Sequence, residues 1–97
     1  MPDFLLLMHG DTTEPESAAA WEDYLATLRR VGAFMGGSSI GAGTVMRRAG
    51  VAAPVSAELT GFIRVSATDL DAAQRLVAGN PVYEAGGTVE IRALPED

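Results

Sequence analysis

The sequence predicts an α+β domain with elements in the order β-α-β-β-α-β. Three observations carry this: short apolar or alternating runs at residues 4–9, 61–67 and 86–94, two stretches with apolar residues at helical spacing, and Gly/Pro punctuation between them. That order suggests the ferredoxin-like sandwich, a four-stranded antiparallel sheet with two helices on one face.

The first run, Phe4 to His9, is apolar on both alternating faces and closes at Gly10-Asp11, which predicts a central strand covered on both sides. Thr13 with Glu16 fits a capping box, and Trp21, Leu25, Leu28 and Gly32 follow at helical spacing. The first helix is therefore expected over about residues 14–31, with Arg29 and Arg30 at the negative end of its dipole and Gly32 as its stop. Residues 33–41 read as a strand weakened by glycine, and residues 43–50 as a further extended piece before a loop at Pro54. Next comes a clean alternation, Ile63, Val65 and Ala67 against Phe62, Arg64 and Ser66. Thr68 or Asp69 caps a second helix whose apolar face is Leu70, Ala73, Leu76 and Val77, ended by Gly79 and Pro81. In the last strand Val89 and Ile91 face inward, with Thr88, Glu90 and Arg92 opposite.

The 97 residues suit one domain, residues 1–97. A chain this short buries only roughly 60–70% of its unfolded surface. It has no cysteine, which excludes disulfides, thiolate metal sites and thiol catalysis, and its single histidine excludes a multi-histidine metal site within one chain. We expect no metal and no cofactor. The net charge of −6 argues against nucleic acid and against anionic membrane surfaces. No apolar run approaches the ~20 residues of a membrane span, and the N-terminus has no basic region before its apolar stretch, so the expected location is cytoplasmic.

Two helices cover only one face of such a sheet. The other would carry Phe62, Arg64, Ser66, Thr88, Glu90 and Arg92 beside one side of the apolar first strand. Burying that face against a second copy contributes roughly 25 cal/mol per Å² of apolar area. We expect a homodimer, or a higher assembly built from it, with charges such as Arg64 and Glu90 pairing along a polar-lined pocket between the sheet and the dimer partner.

Residues 37–41, Gly-Ser-Ser-Ile-Gly, match the nucleophile-elbow pattern around Ser39. That elbow needs a strand before, a helix after and a downstream acid and histidine. Here a helix precedes, extended chain follows, and His9 lies upstream. A phosphate cradle fails on the same context. The remaining reading is a strand that another backbone or a ligand approaches closely at Gly36 and Gly37, with Ser38 and Ser39 offering hydroxyls to a small organic ligand. His9 is a candidate general base, with Asp11 two residues on to orient it, against the alternative of a hydrogen-bonded histidine at a strand end. Arg64, Glu90 and Arg92 suit an anionic ligand, or equally a cross-strand ion-pair ladder. Trp21 and Tyr24 read as core, Arg47 and Arg48 as a solvated loop face, Asp69 and Asp71 as helix-start residues.

The chain resembles the YCII-related family over nearly its whole length. The stretches that carry the resemblance are residues 4–11 (Phe-Leu-Leu-Leu-Met-His-Gly-Asp), the Trp21/Tyr24/Leu28 helix, residues 36–41, residues 59–73 and the tail at 80–95. The resemblance implies a dimeric α+β barrel. One branch of that family is proposed to pair a first-helix histidine with an aspartate after the second strand, where this chain has Trp21 and Tyr24, then Ala42 and Thr44. Another carries an Asp-Gly-Pro-Phe loop, where this chain has Pro54-Val55-Ser56-Ala57. Related barrels include cofactor-free oxygenases, isomerases and a dehalogenating lyase. Two functional readings stay open. One is a small-molecule enzyme of lyase, isomerase or cofactor-free oxygenase type, with His9 as base. The other is a non-catalytic dimeric module that binds a small ligand or is purely structural. An RNA-recognition domain shares the element order, but the acidic balance and a third strand without aromatic stacking pairs disfavour it.

Overall fold

A computed structural model describes residues 1–55 and 58–96. The elements are β1 (Asp3–His9), α1 (Ala18–Arg30), β2 (Phe34–Ser39), β3 (Leu59–Ser66), α2 (Leu70–Arg75), α3 (Pro81–Glu84) and β4 (Val89–Leu94). The sheet order is β2-β3-β1-β4 and every neighbouring pair is antiparallel. This is the α+β, ferredoxin-like arrangement the sequence predicts.

Alternation along the strands decides which side each residue takes. Phe4, Leu6 and Met8 of β1 are buried beneath the helices, as are Ile63 and Val65 of β3, while Val89 and Ile91 of β4 pack against that core. From the other layer Tyr24 and Leu28 of α1, Ala73, Val77 and Val82 complete it. Leu6, opposite both Ile63 and Ile91, has no exposure at all.

β1 is central in the sheet, but helices cover only one of its faces. Leu5, Leu7 and His9 alternate out of the core and stay half-exposed, beside the half-exposed Phe62. The molecule is accordingly thin, 19 Å along its shortest axis, one sheet and one helical layer deep.

Helix α1 starts later than the sequence suggests. Ser17 caps it by accepting from Ala20 N at 3.0 Å. Thr13 cannot serve, because its backbone N–H and its hydroxyl both donate to the Ala85 carbonyl. Pro15 also disfavours helical geometry at Glu14. Gly32 takes φ +74 just past the helix, the left-handed stop expected of it.

The second helix is broken in two. Asp69 caps α2, which ends at Arg75, and Leu70 at its first position is exposed rather than part of the apolar face. Pro81, expected only as a terminator, opens α3 instead, with Asn80 as its N-cap. A proline at N1 is both a stop for one helix and a start for the next.

Residues 41–55 form no strand; they run outward as an arm that returns to the sheet at Leu59. The extended piece expected at 43–50 is therefore not part of the sheet. Ser56 and Ala57, half of the Pro54–Ala57 stretch, lie outside the described residues.

Candidate functional site

The Gly-Gly-Ser-Ser strand answers to close approach within its own sheet. The β2–β3 register shifts between Phe34 and Gly37, a bulge, and Gly36 there has φ +117. A Cβ on Gly37 would stand 2.6 Å from the Phe62 carbonyl oxygen. The tight glycine thus serves pairing with β3. Ser39 is followed by the arm, not by a helix, and the sole histidine pairs with Glu90 on β4. Nothing of a nucleophile elbow is assembled around it.

A groove of about 470 Å³ opens on the helix side between α1 and the β2–β3 edge, with Gly37 and Gly61 on its floor. Its helical wall is Trp21, Leu25 and Arg29, one stripe at i, i+4 and i+8. Met8, Phe34 and Ile63 line it from the sheet, and Ser38, Ser39 and Thr60 lie where β2 ends and β3 begins. The groove is polar at two further points. Glu16 accepts from the Trp21 indole N–H at 2.8 Å, which fixes the indole on the wall. The Arg29 guanidinium lies 4.9 Å over the Phe34 ring, a cation–π contact. Among the described residues Arg29 has no carboxylate partner.

Trp21 and Tyr24, both expected in the core, therefore divide into a wall residue and a core residue. They meet edge to face at 6.1 Å, but only Tyr24 is buried. Its hydroxyl donates to the Leu76 carbonyl at 2.6 Å, tying α1 to the end of α2. Burial raises its phenol above the ordinary value. The nearby Asn80 amide acts the other way, yet its Nδ2 stands outside hydrogen-bonding geometry, the one buried side-chain polar atom without a partner among the described residues.

On the open face the remaining candidates form a separate constellation. His9 Nε2 stands 3.1 Å from Glu90 Oε1, a contact that places the proton on Nε2 when the ring is neutral. Arg92 donates to the other Glu90 oxygen at 3.1 Å. Both neighbours hold the Glu90 carboxyl below its usual range, Arg92 more than His9. Asp11 does not turn back to His9. It accepts from the Thr88 hydroxyl at 2.6 Å and the Thr88 N–H at 2.8 Å, and these bonds depress its pKa. Arg64 pairs with Asp3 at 2.7 Å rather than with Glu90. The register explains this: β3 and β4 flank β1 on opposite sides, so Arg64 and Glu90 are never neighbours.

His9, Glu90 and Arg92 thus come together. Ser38 and Ser39 join the groove on the helix side, Arg64 belongs to a third contact, and His9 lines neither the groove nor a smaller hollow of about 290 Å³ between α2, α3 and β4. The groove's wall is legible in the sequence only as a helical apolar stripe, which reads as core. Among the described residues no three His, Cys, Asp or Glu side chains gather to hold a metal ion, and no helix is long and apolar enough to cross a membrane.

No curated protein matches the chain. The model of the YCII-related domain matches residues 2–96, all but the two terminal residues. With the antiparallel sheet, the helical layer on one face and this near-complete match, the chain belongs to the YCII-related domain family.

Proposed function

We propose that this protein works as a homodimer that binds a small organic molecule. One observation carries the reading: an apolar groove that holds Arg29, which has no carboxylate partner among the described residues, with Ser39 and Thr60 at one end and Glu16 beside Trp21. Concave, mostly apolar sites with a few placed polar groups are what small ligands require. The dimer follows from the open face, where half-exposed Leu5, Leu7 and Phe62 surround paired charges. A second sheet laid there would complete the barrel that the family resemblance implies.

A catalytic reading rests on a different observation, the Arg92–Glu90–His9 chain at hydrogen-bond distances. Glu90 orients the imidazole and leaves its other nitrogen free to take a proton, as lyase or isomerase chemistry needs. His9 lies outside the groove, so ligand binding there without turnover is the reading the geometry favours.

Trp21 is the chain's only tryptophan and sits on the groove wall, so its emission reports occupancy directly. Titration with benzoate, cinnamate and short aliphatic acids is expected to quench or shift it, and Leu25→Phe, which narrows the groove and adds no second tryptophan, to weaken binding. Indifference of Trp21 to all these probes would sink the groove as a ligand site. Sedimentation of the parent at micromolar concentration is expected to show a dimer, and Leu7→Lys a monomer; a monomeric parent would end the dimer reading.

A further inference from the structure

We infer that the arm, residues 41–55, docks on a second copy of this chain, with Arg47 and Arg48 against the acidic start of α1 and the apolar arm residues over the groove mouth. For its task, closing the ligand site, this rests on the groove reading above; the docking itself does not.

The arm makes no sense as a loop of an isolated chain. Met46 is 94% exposed and Val51 89%, with Val45 and Val55 also exposed. None of its residues lines a groove of its own chain. The radius of gyration, 14.7 Å against about 12–13 Å for a compact chain of this length, accords with a thin body and a segment that stands off it. Apolar side chains held out in this way mark an interaction surface.

Charge selects the occupant. The arm holds two arginines and no acid, while the whole chain is at −6, so the rest of the molecule is at −8. Among the described residues neither arginine meets a carboxylate; Arg47 donates only to the Val51 carbonyl within the arm. The complementary surface lies beside the groove, where Glu14 and Glu16 just before α1 and Glu22 at the start of its second turn are all exposed. Arm and receptor thus sit on every copy, the condition for a two-fold exchange in which each arm serves the other's groove. The arm leaves the sheet just after Ser39 and returns just before Thr60, both groove residues, and its 15 positions give it a reach of ~25 Å out and back.

The test uses the natural absence of cysteine. Chains carrying Met46→Cys are mixed with chains carrying Ala18→Cys, which lies one turn before Trp21 on α1, and treated with a short bis-maleimide. Cross-linked hetero-pairs are expected. Adding Arg47→Glu and Arg48→Glu should lower their yield at least about tenfold, through like-charge repulsion, and move Trp21 emission to the red. High salt should lower the yield in the parent background. Absence of mixed cross-links in a protein that sediments as a dimer overturns the arm proposal and leaves the sheet-to-sheet dimer standing. The same holds if double-cysteine chains link only within themselves when diluted into cysteine-free parent. Ligand titration of the arginine variant separates the two ideas: an unaltered benzoate response with lost cross-links retires the arm's role in closure, not the groove.

Discussion

Gly37→Ala adds one methyl group to the glycine-rich strand, and the structure fixes what that methyl meets. Its Cβ would stand 2.6 Å from the Phe62 carbonyl oxygen, 3.2 Å from Ile63 Cα and 3.4 Å from Ile63 Cγ1. The nearest two are backbone atoms of the adjacent strand, which cannot swing aside like the tip of a long side chain. Inserting a methyl into a packed site costs about 1–3 kcal/mol. Stiffening of the unfolded chain acts in the opposite direction by about 0.4–1 kcal/mol. The steric cost wins, and a net loss of about 1–2 kcal/mol is expected. For a domain of this size each kcal/mol corresponds to a Tm change of roughly 4–8 °C. The assay is urea unfolding of ligand-free protein followed by Trp21 emission, at several protein concentrations because association adds to apparent stability. Gly41→Ala is the control, since nothing lies within 4 Å of a Cβ there and its φ is not positive. A Gly37→Ala protein as stable as the Gly41→Ala control would refute the argument that β3 demands this glycine, and would return the strand to a ligand-approach reading.

Two further outcomes concern titrating groups. Glu90 and Asp11 both have folded pKa values below their ordinary 4.5 and 3.8; their contributions are present above those values and lost as pH falls through the depressed ones. Glu90→Gln and Asp11→Asn should therefore each flatten the acid limb of a stability–pH profile, and an unchanged limb in both would contradict the contacts with Arg92, His9 and Thr88. Tyr24→Phe removes the 2.6 Å bond to Leu76 and should cost about 0.5–1.5 kcal/mol at neutral pH. Because the Tyr24 pKa is raised above its ordinary 10.0, the parent also loses stability as pH rises past that value through the folded one, and the Tyr24→Phe variant should lack that component in alkaline urea titrations.

Legibility follows sequence distance. The alternation in β3 and β4 sorts Ile63, Val65, Val89 and Ile91 from their outward neighbours correctly, because one strand's pleat is a local property. Asp69 is legible as a cap for the same reason. The start of α1 is not, since Thr13 is claimed by Ala85, 72 residues away. His9 stands out by its place at a strand end, but its partner Glu90 is 81 residues distant. Asp11, close in sequence, turns instead to Thr88.

The sequence by itself determined the order of the strands and of the first helix, the inward faces of β3 and β4 and the stop at Gly32, because these depend on side-chain period and on the conformations single residues permit. Only the tertiary structure decided that β1 lies between β3 and β4, and with it that Arg64 meets Asp3 while Glu90 meets His9. It also decided that a groove lies beneath α1, lined in part by Gly37 and Gly61. Strand pairing and layer packing join segments remote along the chain, so their outcome is settled by the whole core at once and is written in no single stretch of residues.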